Sequence, residues 1–366
     1  MTIIASYDIY GCKVLFADTL ITSSKKNEKR PILPTIGKID STRINDQLHI
    51  AGNLQKIQIL SDYCAIAYAG DVYLAHQYIT ALDDILKERR LLINDIVNIY
   101  KSIDVNNKLA IIYLYNAGDE NIISGGLNCI NTLSEVLGDV IYRGSGEQAI
   151  SDYIQWIDNN AETFRPSPDE VVANGVRIVI EQIAKLQMAE ISSSSTPESI
   201  MDCFGSSYEI VSFYDGKFNK IDLTYAFIDL TYNHETKNVD INFPYLILSN
   251  YINGNFLVHE RYQKNNLNYL KDLYCAEYDY NEIFIPSLLN YNEIASSITQ
   301  GRKLNLCCFI FHDNFKYGCE IWQSIVIRSD EPPIRIEKNN SNNFYKVFYS
   351  SQVEDQIINF IKNNYL

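Results

Sequence analysis

Thr2-Ile3-Ile4-Ala5-Ser6-Tyr7-Asp8-Ile9-Tyr10-Gly11-Cys12-Lys13-Val14-Leu15-Phe16-Ala17-Asp18 comes directly behind Met1. Asp8-Ile9-Tyr10-Gly11 reads as a hairpin turn between an apolar, β-branched run and a returning strand, Cys12–Ala17. That strand ends on Asp18, and an acid at the end of a buried strand is costly unless it is paired. Methionine ahead of a small residue is normally trimmed in cells. Trimming would leave Thr2 with a free α-amine beside its own hydroxyl. A threonine hydroxyl is a poor nucleophile, and an adjacent amine is one of the few ways to activate it. The α-amine suits the task because its unperturbed pKa is about 7.7–8.0. Taken alone, Met-Thr does no more than start a strand, so the case for chemistry depends on residues at fixed distances further along the chain.

Beyond the hairpin, Lys56–Gly70 reads as two apolar strands turning at Ser61-Asp62, with Gly70 at the exit. Residues 72–88 carry a helical period: Leu74, Ala75, Tyr78, Ile79, Leu82, Ile85 and Leu86 form one apolar face, while Asp83, Asp84, Lys87 and Glu88 lie largely off it.

This order resembles the β-type proteasome subunits and their bacterial relatives, the N-terminal nucleophile (Ntn) hydrolases. That family opens with Thr, a strand pair and Ala-Asp-Thr/Ser-x-x-Thr, then continues with Lys, two short strands and Ala-Gly before a long helix. Thr2, Asp18, Thr22, Lys56, Ala69 and Gly70 fall on the pattern. The interval from Asp18 to Lys56 is longer than the family's, so residues 23–50 read as an insertion. Further matches come in order. Ile141–Gly146 looks like the family's Gly-Ser-Gly step opening a helix. Ser167-Pro168-Asp169-Glu170 is a capping box with proline at the first helical position. Its helix carries Val172, Val176, Val179, Ile183 and Leu186 on one face. Asp202–Ser207 stands where the family has Asp-x-x-Ser-Gly. Here Gly205 occupies the serine position and Ser206 comes one place later, so either the loop has slipped or that serine role is absent.

The resemblance covers residues 2–225 and implies a four-layer αββα sandwich in an α+β chain. It also implies roles. Thr2 Oγ would attack a carbonyl carbon to form an acyl-enzyme. Lys56, held by Asp18, would lower the pKa of the nucleophile and the amine. The N–H of Gly70 would stabilise the oxyanion, a donor of the kind whose loss costs about 3–4 kcal/mol. Thr22 and Ala69 would bind a peptide main chain as an added strand. Ser145, Asp202 and Ser206 would complete the catalytic set, with Ser145 and Asp202 orienting the amine. The implied partners are a peptide or amide substrate and a homo-oligomeric ring. Non-catalytic ring members usually carry a helical extension before the first strand, which this sequence does not show, so the catalytic type is the expectation. The step needs no metal or organic cofactor. Each motif also has a plain structural reading: an ordinary buried ion pair for Asp18–Lys56, a common turn for Gly-Ser-Gly, a loop cap for Asp202. Two other functions stay open, a non-catalytic proteasome-like assembly protein and an Ntn amidase acting on a small amide.

The chain has 366 residues, 46% hydrophobic, enough for one or two sizeable cores. Its net charge of −14 disfavours nucleic acid and anionic membrane surfaces as partners. No apolar run reaches membrane-spanning length, and no signal peptide is legible; the expected location is cytoplasmic. None of the eight cysteines forms Cys-x-x-Cys, and buried reduced thiols are expected. The five histidines show no metal-ligand spacing, and His312-Asp313 reads as a strand end. Within the insertion, Ser23–Pro31 is polar and basic; it reads as a solvated loop, or more sharply as a lid. Residues 226–366 read as an α+β extension rich in tyrosine and asparagine. It has a turn at Asn233–Asn238 and helical pieces near 263–274 and 352–364, and its role is not legible.

Overall fold

The opening stretch forms the hairpin it spells. Strands β1 (Ile3–Ile9) and β2 (Cys12–Asp18) pair antiparallel from Ile9↔Cys12 to Ile4↔Ala17. Tyr10 and Gly11 sit at φ 51° and 85°, the left-handed pair that a two-residue hairpin turn of this hand requires. Almost every residue of both strands is buried, the mark of strands covered on both faces. The computed structural model describes residues 2–25, 31–38, 43–44, 47–103, 105–119, 121–160, 171–193, 196–233, 238–252, 255–263, 278–289, 305–313, 321–329, 334–338 and 345–365. The fold is mixed α+β with mostly antiparallel sheets. It divides into two compact units: Met1–Ile221 with Tyr251–Phe256 and Ile285–Arg302, and Asp222–Asn250 with Leu257–Phe284 and Lys303–Leu366.

In the first unit the hairpin lies inside a six-stranded sheet. β12 (Gly138–Gly144) flanks β1, with β11 (Ile130–Ser134) outside it; β13 (Tyr208–Tyr214) flanks β2, with β14 (Lys217–Lys220) beyond. A second sheet runs β10-β9-β8-β7, from β7 (Ile57–Ser61), β8 (Cys64–Gly70), β9 (Leu109–Asn116) and β10 (Ile122–Leu127). Period-two alternation sorts its side chains. Ala65, Ala67, Ala110, Ile112 and Leu114 share a cluster with Ile4, Leu15, Ala17 and Val211 of the six-stranded sheet. Ile66, Tyr68, Leu109, Ile111 and Tyr113 instead join a cluster with helix residues. Each fully buried Ile or Leu contributes about 1.5–3 kcal/mol relative to exposure.

Those helices are α1 (Val72–Glu88), capped by Asp71 through the amides of Tyr73 and Leu74, and α2 (Ile93–Ser102). Of the apolar face expected on α1, Ala75, Tyr78, Ile79 and Leu82 are buried, and Leu74, Ile85 and Leu86 are partly buried. The sequence reading assigns no helix at α2. α3 (Glu147–Asp158) lies against β12, and α4 (Val171–Ile191) lies against β2 and β13. Tyr7 reaches α4 by donating to Gln182 (2.8 Å). The capping box Ser167–Glu170 lies outside the described residues.

Beyond the run Ser23–Pro31 that reads as a solvated loop, the insertion is paired and partly buried. Ser24 and Lys25 are exposed, but β3 (Leu20–Ser23) pairs with β6 (His49–Asn53), and β4 (Ile32–Leu33) with β5 (Gly37–Lys38). Leu33, Ile44 and Ile50 form a small core with Leu20, Ile200 and Cys203, so the apolar residues behind the polar run bring the segment inward. Residues 26–30 are outside the described set.

The second unit carries an eight-stranded sheet, β20-β19-β15-β16-β17-β18-β22-β21. Its strands are β15 (Leu223–Asn233), β16 (Asn238–Ile252), β17 (Asn255–Gln263), β18 (Tyr278–Ile285), β19 (Asn305–Asp313), β20 (Ile321–Ser329), β21 (Ile334–Lys338) and β22 (Tyr345–Tyr349). β15 and β19 run parallel, and a terminal helix, α6, spans Ser351–Tyr365. His312 and Asp313 end β19, as read. The expected turn interior at 234–237 and most of the helical piece near 263–274 lie outside the described residues; Gln263 itself ends β17. Among the described residues no helix is long and apolar enough to cross a membrane. Cys12, Cys64, Cys129, Cys203, Cys307 and Cys308 are not joined in disulfides.

Candidate active site

Thr2 stands one residue ahead of β1 and is 1% exposed. The hairpin register brings the end of β2 back beside it, so Asp18 faces the start of β1. Thr2 Oγ donates to Asp18 Oδ1, and the Ile3 amide donates to the same oxygen (2.9 Å). Asp18 Oδ2 accepts from the amides of Leu20 (3.2 Å) and Gly205 (3.0 Å). A fully buried carboxylate is tolerated when its lone pairs are used in this way.

Lys56 precedes β7, and its carbonyl accepts the Tyr68 amide of β8 (3.1 Å). Its side chain is 4% exposed. Nζ donates to Thr2 Oγ, to Asp18 Oδ1 (2.7 Å) and to the Leu20 carbonyl (2.6 Å). All three ammonium protons therefore have an acceptor. Burial holds the Lys56 pKa below the ordinary lysine value, and the Asp18 carboxylate opposes that shift. The threonine hydroxyl thus lies between a cation and an anion in a dry environment, where both act more strongly than in water.

The Gly144-Ser145-Gly146 step holds the other side of Thr2. Gly144 pairs with Ile3 at φ 125°, and a Cβ there would sit 1.9 Å from the Thr2 carbonyl oxygen. Only glycine permits that approach. The Thr2 carbonyl accepts the Gly146 amide (3.3 Å), and the Ser145 hydroxyl lies 3.3 Å from both the Thr2 and Cys203 carbonyl oxygens. Ser145 therefore touches the main chain of Thr2.

The Asp202–Ser207 loop is built differently from the family pattern. Gly205, at φ 112°, donates its amide to Asp18, so a backbone N–H reaches the acid at the position where the family has serine. Ser206 sits at φ 77°; its amide donates to Glu190 Oε2 (3.1 Å), and its buried hydroxyl has no partner among the described residues. Asp202 is exposed at the end of α5 (Glu198–Met201), next in the chain to Cys203, whose carbonyl oxygen lies 3.3 Å from the Ser145 hydroxyl. The loop is held instead by Glu190 on α4, a residue that sequence reasoning missed. Its carboxylate accepts from Thr35 of the insertion, Ser199 (3.0 Å), Tyr208 (3.2 Å) and the Ser206 amide. Burial pushes the Glu190 pKa up to about 7 against those four hydrogen bonds.

Of the expected residues, Thr2, Asp18, Lys56 and Ser145 come together, with the Gly205 amide beside them. Ala69 is buried opposite Ala110, and Gly70 ends β8 opposite Leu109. A Cβ on Gly70, at φ 110°, would meet the Lys108 carbonyl at 2.0 Å. Thr22 lies in β3 opposite Ile50, beside a register shift. Among the described residues no group of His, Cys, Asp and Glu is arranged to hold a metal ion. No protein-family model matches the chain, and no curated protein matches it.

Proposed function

We propose that the chain is a threonine-nucleophile hydrolase of the Ntn, proteasome-β-like type, acting on amide bonds in peptides once Met1 has been removed. One observation carries the reading: the Thr2 hydroxyl bridges Lys56 and Asp18. The sharing of apolar clusters between the two sheets of the first unit, and between sheets and helices, supports the four-layer αββα arrangement.

On this reading, Thr2 Oγ attacks the scissile carbonyl carbon, and the hydroxyl proton passes to the freed α-amine, directly or through a water. The Lys56 ammonium favours the developing negative charge on Oγ. The Gly70 N–H stabilises the tetrahedral oxyanion. The amine then gives its proton to the leaving nitrogen, the C–N bond breaks, and an ester on Thr2 remains. Water, deprotonated by the same amine, hydrolyses that ester and restores Thr2.

A second reading, a non-catalytic assembly component, is favoured by the exposed Asp202 and by the Ser206 hydroxyl, which has no partner among the described residues. Digestion of a peptide library by wild type, Thr2→Ala and Lys56→Met separates the two. The hydrolase reading expects turnover by wild type and at least about a hundredfold loss in either variant. Turnover that survives Thr2→Ala defeats it. Cleavage of small amides without peptides would redirect it to an amidase.

A further inference from the structure

A second buried carboxylate lies behind the segment that carries Lys56. Glu209, on β13, is fully buried. Its Oε2 accepts the amides of Lys56 (2.7 Å) and Ile57 (3.2 Å). Its Oε1 accepts from Lys220 Nζ (2.7 Å) and lies 3.4 Å from the Tyr251 hydroxyl. Lys220 also donates to Gln55 Oε1 and lies over the Tyr251 ring at 4.7 Å. Gln55 is fixed in turn: its amide donates to the Pro286 carbonyl (2.9 Å), and its side-chain amide donates to the Ile285 carbonyl (3.0 Å). Ser287 donates to Gln58 (2.6 Å). Residues 55–58 are therefore gripped from β13, from β14 and from one short segment of the later chain, 285–287, by contacts that do not involve Thr2, while Tyr251 lies against Glu209 and Lys220.

We propose that Glu209, with Lys220 as its counter-ion, is a positioning residue for Lys56, and that Tyr251 and residues 285–287 complete the clamp. Two backbone amides held by one carboxylate fix where the Lys56 side chain starts, and a small misplacement of a reacting group is expensive in rate. The clamp also sets charge. The groups around Lys56 are Asp18 on β2, Glu209 on β13, Lys220 on β14 and Tyr68 on β8, whose buried hydroxyl stays protonated because burial raises its pKa. Asp18 and Glu209 both favour the ammonium form of Lys56 against burial. The catalytic consequence rests on the hydrolase reading; the clamp does not.

The test uses the full-length chain. Lysine side-chain NMR, with the Lys56 signal assigned through Lys56→Arg, follows its titration, and hydrogen exchange follows the amides of 55–58. Glu209→Gln leaves Lys220 buried without a counter-charge and risks unfolding. The double variant Glu209→Gln/Lys220→Met removes both charges and keeps the test available. In either variant that folds, the Lys56 midpoint is expected to move down and the amides of 55–58 to lose protection. Capture of an amine-and-hydroxyl-directed electrophile by Thr2 is expected to slow at least about tenfold. An unchanged midpoint and unchanged protection in a folded variant would overturn the proposal. A wild type that captures no electrophile would refute the hydrolase reading, while titration and exchange would still decide the clamp.

Discussion

Two buried lysine–carboxylate pairs support neighbouring parts of the first unit, and their chemistry is nearly identical. Lys56–Asp18 and Lys220–Glu209 are each 2.7 Å long, with both carboxylates fully buried. They differ in what else the carboxylate holds. Both hold backbone amides, three on Asp18 and two on Glu209, but Asp18 also holds a threonine hydroxyl that accepts from the paired lysine. A buried ion pair by itself says little about stability or catalysis. The third partner decides: a hydroxyl between opposite charges has chemistry open to it, whereas an amide on a carboxylate is a brace.

The largest effect is expected at Asp18. Asp18→Ala strips the acceptor from Thr2, Lys56 and three amides and leaves a buried cation unpaired, so a loss of about 3–5 kcal/mol is expected in chemical denaturation. Glu209→Gln/Lys220→Met leaves no charge unpaired and should cost less, about 1–3 kcal/mol for the weakened amide bonds. Equal losses would erase the distinction between the two pairs.

Glu190 extends the contrast to a carboxylate held by neutral donors alone. Its folded-state pKa, about 7, lies above its ordinary value of 4.5. The folded protein therefore binds this proton more tightly than the unfolded chain. The resulting stabilisation is fully present below about pH 4.5 and is lost as pH rises through about 7. The effect is about 3 kcal/mol at most. Glu190→Gln should remove that part of the pH dependence of the denaturation midpoint; an identical pH profile in the variant would contradict the assignment.

Smaller effects test the contacts on the Thr2 main chain. Gly144→Ala forces a Cβ onto the Thr2 carbonyl at positive φ, and about 2–3 kcal/mol of destabilisation is expected. Gly11→Ala meets open space and should cost about 1 kcal/mol. Smallest of all, Asp202→Ala should change stability by less than about 0.5 kcal/mol, as an exposed position does. A large fall in electrophile capture by that variant would restore Asp202 to the site.

Legibility in the sequence depended on where each signal lies. The β1–β2 hairpin, β7, β8 and α1 were readable because alternation and helical period are local. Lys56 beside Asp18 was readable because a matching order of motifs stood in for the missing distances. Gly205 was not, because its contribution is a backbone N–H that almost any residue carries. Glu190 was missed because its partners, Thr35, Ser199, Ser206 and Tyr208, are scattered along the chain. Glu209 did leave a trace: a lone acid inside the apolar run Tyr208–Tyr214 has to be paired if that strand is buried. The helix α2 escaped because Leu91-Leu92-Ile93 blurs its apolar face at the start. The small core of Leu33, Ile44 and Ile50 with Leu20, Ile200 and Cys203 was not readable because its members are scattered on either side of a polar run and along the later chain.

Whether Thr2 is a nucleophile activated by its own amine can be decided by intact mass spectrometry of the purified chain. The sample is measured before and after exposure to an electrophile that must bond both an amine and its adjacent hydroxyl. A chain lacking Met1 that gains one adduct is expected, with no adduct on Thr2→Ala. A chain that keeps Met1, or equal labelling of the two proteins, would contradict the proposed chemistry.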